Sequence, residues 1–396
     1  MTRFILPVLT CIIFLFSTIQ SIELIETLDE AKSLSAASGK PILIEFYRED
    51  CEYCAKAAEE EQRNTDIQDA LKDFLYVKLC VQYGEGEALV DTYKVGSTFP
   101  LYIVANARGE VISRWAGFGG AQRQISSLKT ALRDQTSVEE RTARFQSAPN
   151  FRDALVLAKY YSDSQQNEDA VKYYRLAEKY SKGGRADYSY QIFSNTANLV
   201  WYDTWSFDSV LKAADAVMEN KLNTKDIINC VTVLCRVARR ADKTDELKPY
   251  MYAALEATNG TTDESLRAKH YELAIDTILY ITKDIGAALR VKEATLGDNW
   301  QNDPKKFYPY TRWCLEREIN LVKAEQFART AVDRVNPGAF KAQVLHTLAC
   351  ILDIRGKYDE AVRFIELATQ EDPANSFYAS EYDRILADWS TAESKK

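Results

Sequence analysis

The periodicity of the apolar residues changes once along the chain, near residue 136, and that change rules out a single continuous architecture. Up to about Thr136, apolar stretches of strand length alternate with stretches of helical spacing. The strand candidates are PILIEFY (41–47), FLYVKLCV (74–81), LYIVA (101–105) and EVISRWAG (110–117). Helical spacing covers 27–38, 52–71, 85–94 and 120–133. The order is βαβαββα, with residues 23–26 either discounted as a strand or placed at a sheet edge. Asn106, Ala107, Arg108 and Gly109 form the hairpin turn between the last two strands. From Asn150 onward the strand signal disappears, and amphipathic segments rich in Ala, Leu and Tyr follow one another. The polar segment 136–150, which carries Pro149, is the expected linker.

The second regime contains a repeat. Residues 342–375 hold Leu345, Leu348, Ala349, Leu352, Gly356, Tyr358, Ala361, Ala368 and Pro373 at the positions that tetratricopeptide repeats use for packing, and the segment resembles that family. Residues 151–184 keep Leu157, Ala158, Tyr161, Ala170, Tyr174 and Ala177 in register without the glycine or the closing proline. Residues 305–337 keep Ala324, Ala331 and Pro337. Small residues let paired helices approach, and each pair exposes an apolar face that its neighbour buries. The resemblance implies an all-α solenoid of six or seven helix pairs over 151–390, with a surface for a protein or peptide partner.

The chain has 396 residues, enough for two domains, and a net charge of -8 with no concentration of Lys and Arg, which argues against nucleic acid as a partner. Its N-terminus, MTRFILPVLTCIIFLFSTIQSIE, sets one arginine before an apolar run and small polar residues, the pattern of a secretory signal over 1–21. The apolar run is shorter than the ~20 residues of a spanning helix. An exported protein, periplasmic or extracellular, is therefore expected, with an uncleaved membrane anchor as the alternative. Removing the signal takes Cys11 and leaves Cys51, Cys54, Cys80, Cys230, Cys235, Cys314 and Cys350, an odd number that cannot pair completely. The last four sit within apolar helical patterns and read as small buried hydrophobes.

Cys51 and Cys54 differ, because they form a CxxC pair in REDCEYCAKA. A redox dithiol, half of a zinc site and a structural disulfide are all open readings. Zinc lacks a second pair of ligands, and His270 and His346 lie in the helical half without companions that suggest a ligand set. The strand-like PILIEFY feeds into Cys51 and EYCAKAAEEEQ reads as a helix, so Cys51 falls at a helix N-terminus, where unpaired N–H groups and the dipole favour thiolate.

Over residues 22–135 the chain resembles the thioredoxin fold. Glu45 lies six residues before Cys51, where thioredoxins place a buried acid that takes the proton of the resolving thiol. Lys78 in YVKLCV stands at the position of the lysine that pairs with that acid, and Pro100 in STFPLYIV at that of a cis-proline opposite the dithiol. The resemblance implies Cys51 as attacker, Cys54 as resolver and Glu45 and Lys78 as their acid–base support. It also implies Phe99, Pro100 and Tyr53 as contacts to an extended substrate. Three departures stand beside it. Glu45 is longer than Asp, the interval from Tyr93 to Pro100 is one residue longer than usual, and the intervening dipeptide is Glu-Tyr. Glu52 disfavours a nearby thiolate and no histidine stands by to stabilise one, which points to the reducing end of the scale. Glu45 and Lys78 also read as an ordinary buried ion pair, and Cys80 as either a third thiol or a core residue.

The combined expectation is an α/β thioredoxin-like domain (22–135), a linker (136–150) and a tetratricopeptide-like solenoid (151–390). Its function would be a thiol–disulfide oxidoreductase acting on protein thiols or disulfides, needing no metal or organic cofactor and fed by a membrane-linked electron donor. The alternative is a non-catalytic interaction scaffold with a stapled docking module.

Overall fold

A computed structural model describes residues 24–184, 186–219, 223–373 and 375–394. The expected signal segment, 1–21, lies outside them. The chain divides into two compact units at Ala143/Arg144. Among the described residues no helix is long and apolar enough to cross a membrane.

The first unit is built on a five-stranded sheet: β1 (Leu24–Ile25), β2 (Ile42–Tyr47), β3 (Leu75–Cys80), β4 (Leu101–Ala105) and β5 (Val111–Ala116), in the order β1-β3-β2-β4-β5. β3 runs parallel to β1 and β2, whereas β4 is antiparallel to β2 and β5. The centre of the sheet is β2, and its near-continuous apolar run suits a strand covered on both faces. On one side Ile42, Ile44 and Phe46 point toward α1 (Leu28–Ser38), which buries Leu28 and Ala31. That helix is capped by Thr27 and ends at Gly39, whose φ of 75° only glycine adopts without strain. The opposite face carries Leu43 and Glu45 on β2, Tyr76 and Lys78 on β3, Tyr102 and Val104 on β4 and Trp115 on β5. α2 (Glu52–Arg63), α3 (Thr65–Leu71) and α5 (Ala121–Arg133) belong to this half, with α4 (Gly84–Ala88) following β3.

Two helix expectations are corrected. The stretch 52–71 is two helices, because Asn64 is extended (φ -95°, ψ 107°) and its side chain accepts from the N–H groups of Asp66 and Ile67, ending α2 and starting α3. The stretch 85–94 is helical only to Ala88. A Cβ on Gly86 would meet the Cys80 carbonyl oxygen at 2.0 Å, so this short helix is pressed onto the end of β3 by a glycine, a poor helix former. The short N-terminal strand does sit at the sheet edge. Within the expected linker, α6 spans Val138–Ser147.

Among the described residues of the second unit every regular element is helical. α7 (Phe151–Asp163) and α8 (Asn167–Tyr180) form the first pair, with Ala154, Ala158, Ala170 and Ala177 fully buried between them. The best repeat in the sequence is the pair Ala339–Ile354 and Tyr358–Glu371. In all there are six helix pairs among the described residues, against an expectation of six or seven, followed by the single helix Ser376–Glu393.

Five of the six pairs turn by one device. In each, the second residue after the first helix is left-handed, and the next N–H bonds back to the carbonyl five residues earlier. The bonds are Gln166 to Tyr161, Thr204 to Leu199, Lys243 to Ala238, Ile319 to Cys314 and Lys357 to Leu352, at 2.8 to 3.0 Å. Only the last of these turns uses glycine, Gly356; the others place Gln165, Asp203, Asp242 and Glu318 at φ of 53° to 58°.

Candidate redox site

Strand β2 leads into a loop stiffened by the Arg48 guanidinium. It grips the Asp50 carboxylate through two hydrogen bonds, at 2.8 and 2.9 Å, and lowers its pKa. The Gln82 side chain accepts from the Glu49 N–H at 2.8 Å, tying this loop to the end of β3. Cys51 then takes the N-cap position of α2 with extended backbone (φ -98°, ψ 106°), and its sulfur accepts the N–H of Cys54 at 3.0 Å. The two cysteines are joined as a disulfide, with Cα atoms 5.2 Å apart. Cys51 is partly exposed and Cys54 is buried.

The expected substrate contacts differ in setting. Tyr53 projects 61% exposed from the first turn of α2, with the Lys56 ammonium 5.3 Å from its ring centroid. Lys56 also bonds Glu52 at 2.6 Å, which keeps that exposed carboxylate ionised beside Cys51. Phe99 is half-buried and joined to the buried Pro100 by a cis peptide bond. Because Phe46 pairs with Leu101, Pro100 lies at the end of the sheet from which the Cys51 loop departs. The long interval before it is pinned by Arg114, buried on β5, which donates to the carbonyls of Tyr93 at 2.9 Å and Lys94 at 3.1 Å. Cys80 ends β3 buried, its thiol 3.7 Å from the Gln82 side-chain oxygen.

On β2, the strand that leads into Cys51, Glu45 is almost wholly buried and 2.9 Å from the Lys78 ammonium. It is not a simple ion pair. Lys78 is also 2.9 Å from Glu61, a residue on the inner face of α2 that the sequence reading did not single out. The Tyr76 hydroxyl contacts Glu45 and lies 3.0 and 3.1 Å from the two Glu61 oxygens, and the Tyr102 hydroxyl donates to Glu61 at 3.3 Å. Burial, then the Glu61 charge, pushes the Glu45 carboxyl above its ordinary range despite Lys78. Burial alone would lower the Lys78 pKa; the two carboxylates reverse this and raise it. The Tyr76 phenol is held well above its usual value by burial and both acids. The signal for Glu61 was helical phase: Cys54, Ala57 and Glu61 share the buried stripe of α2, whereas Glu59 and Glu60 do not.

A second cluster, which could hold a metal ion, lies in the helical unit and corrects the reading of His346 as lacking companions. His346 and Cys350, one turn apart, approach each other to 3.2 Å, and Glu381 of the last helix lies 3.3 Å from the same imidazole nitrogen. The Arg384 guanidinium reaches Glu381 at 3.1 Å, Asp353 at 2.8 Å and the Cys350 sulfur at 3.9 Å, so a cation of the protein's own already serves this group. His270 meets Thr258 at 2.7 Å.

The description "Thioredoxin-like" belongs to the family whose model matches residues 23–107, and a tetratricopeptide repeat model matches 342–375. Among solved structures, a thioredoxin from Thermus thermophilus is 22% identical, with 28% of this chain and 88% of that chain covered and a TM-score of 0.26. BtubC (BKLC) from P. vanneervenii is 17% identical, with 63% of this chain and 90% of that chain covered and a TM-score of 0.30. No curated protein matches the chain. Sheet order, the Cys51–Cys54 pair and the two family matches together make this chain a thioredoxin-like domain followed by a tetratricopeptide-like helical region.

Proposed function

We propose that the chain is an exported thiol–disulfide oxidoreductase that reduces protein disulfides, and that its helical repeats hold the protein partner. The carrying observation is the asymmetry of the pair: a partly exposed Cys51 at the N-terminus of α2 beside a buried Cys54. An accessible attacker and a shielded resolver are what two-step disulfide exchange requires. The ionised Glu52 beside Cys51 opposes an unusually stable thiolate and supports the reducing direction. Phe99 and Tyr53 are the proposed substrate contacts. In the helical unit, a cleft of about 420 Å³ lined by Val200, Trp205, Phe207 and Arg240, with Tyr202 exposed nearby, supports a peptide-holding role. A solenoid of this kind raises the local concentration of substrate that a dithiol meets only briefly. Export would place the site where electrons have to come from a membrane-linked donor.

The test is covalent trapping. Cys54→Ser should accumulate mixed disulfides with protein partners that vanish on reduction, Cys51→Ser should accumulate few, and neither should reduce insulin. Equal adducts from both variants, or none from either with insulin reduction intact, would leave the chain an interaction scaffold with a structural disulfide.

A further inference from the structure

We infer that Glu61 is a second acid of the dithiol site, and that Glu45 and Glu61 jointly hold one proton while Cys51 and Cys54 are joined. The inference deepens the oxidoreductase reading and rests on it for its catalytic meaning. It stands first on a count of hydrogens. The Tyr76 hydroxyl contacts Glu45 and both oxygens of Glu61, yet it has one hydrogen to donate. With both carboxylates ionised, one of them would face the phenol oxygen lone pair to lone pair. A proton on either carboxyl turns the second contact into a donated hydrogen bond.

Charge leads to the same conclusion. The groups that face one another are Glu45 from β2, Tyr76 and Lys78 from β3, Tyr102 from β4 and Glu61 from α2. Two carboxylates oppose one ammonium. Glu45, Glu61, Tyr76 and Tyr102 are all 3% exposed or less, and Trp115 stacks on Tyr102 with ring centroids 5.3 Å apart. Only the Lys78 side chain is partly exposed, so a net negative charge on the two enclosed carboxylates is costly, whereas one added proton makes the cluster neutral. The upward push on the Glu45 carboxyl from burial and from Glu61 agrees.

The dithiol supplies that proton. Cys54 and Glu61 share the buried stripe of α2, about 10 Å apart along its axis, and Glu45 lies on the strand that leads into Cys51. In a mixed disulfide the Cys54 thiol must lose its proton before attacking the Cys51 sulfur. The proton goes to the carboxylate pair, and the cluster passes from net negative to neutral. The new bond joins Cys51 to Cys54. The bond from Cys51 to the substrate sulfur breaks, and its electron pair leaves on the substrate thiolate. The enzyme dithiol is thereby oxidised and the substrate disulfide reduced. The joined cysteines of this structure are the state in which the pair has received the proton.

Glu61 acts through Glu45, so the test reads titration as well as rate. In the full chain with glutamate carboxyls carbon-13 labelled, the oxidised protein should show one cluster carboxyl titrating above the ordinary glutamate range. Glu61→Gln should bring that titration down, because it removes the like charge. The same substitution should slow resolution of a mixed disulfide by about tenfold and move the acid limb of its pH profile to lower pH, since a weaker base remains. Should Glu61→Gln fail to fold, the unmutated protein decides by infrared difference spectroscopy: oxidation should add a protonated-carboxyl band. Two carboxyls ionised throughout neutral pH in the oxidised protein, or a Glu45 titration and pH limb unmoved by Glu61→Gln, would overturn the inference. A shared proton in a protein that reduces no disulfide would support the pair and overturn the oxidoreductase reading instead.

Discussion

The cysteines of the two units share one side chain and have opposite surroundings. In the thioredoxin-like domain Cys51 caps a helix and is partly exposed. In the helical unit Cys230, Cys235 and Cys314 are buried inside helices, and desolvation pushes the Cys235 thiol up to about 12 and that of Cys314 to about 11. Burial likewise raises Cys350 to about 12, although it is less enclosed. A thiol reacts as thiolate, a form that burial inside a helix disfavours and a helix N-terminus favours. The first unit holds its pair at a helix terminus; the second packs Cys230, Cys235 and Cys314 as apolar filler and sets Cys350 against His346.

Buried glutamates make the same contrast, and their removal should produce the largest effects. Glu45 has one cation and a rival acid, whereas Glu325, also buried, accepts from Lys357 at 2.9 and 3.1 Å, from Arg329 at 2.9 Å and from Arg355. Glu45→Gln should slow mixed-disulfide resolution by roughly ten- to a thousandfold and leave the fold intact. Glu325→Gln should leave insulin reduction unchanged and destabilise the helical unit by about 2 kcal/mol, a figure discounted because its partners are partly solvated. Turnover assays and denaturant melts on both variants check this. A slow Glu325 variant of full stability would erase the distinction between the two units.

Smaller effects should follow at the helix turns, which sharpen the contrast by isolating backbone from chemistry. Gly356→Ala puts a side chain at φ 70° and should cost the helical unit about 1 kcal/mol. Gln165→Gly relieves a strained φ of 58° and should stabilise it by a few tenths of a kcal/mol, because added chain entropy offsets part of the gain. Neither should alter dithiol exchange. A stabilised Gly356→Ala, a destabilised Gln165→Gly, or no shift in thermal unfolding with either, would remove the strain argument.

What could be read from the sequence follows from how each feature is encoded. The places of Cys51, Cys54, Glu45, Lys78 and Pro100 in the fold are legible because it fixes their offsets from strands that are themselves strongly patterned. Glu61 was hidden in the run Glu59-Glu60-Glu61, where only the phase of α2 tells the inward acid from its neighbours. The break at Asn64 depends on a side chain capping the following helix, a choice that the helical spacing of 52–71 does not record. Repeats before the last were obscure because Gln165, Asp203, Asp242 and Glu318 perform the turn that Gly356 announces. The His346 group was invisible because Glu381 and Arg384 arrive from another helix, more than thirty residues on.

Differential alkylation tests the central claim most directly. The folded chain, mildly reduced and then exposed to a thiol reagent near neutral pH, should be labelled rapidly at Cys51 and more slowly at Cys54. Cys230, Cys235 and Cys314 should stay unlabelled until denaturant is added. A Cys51–Cys54 bond that resists mild reduction, or labelling that falls on the helical unit first, would contradict the account.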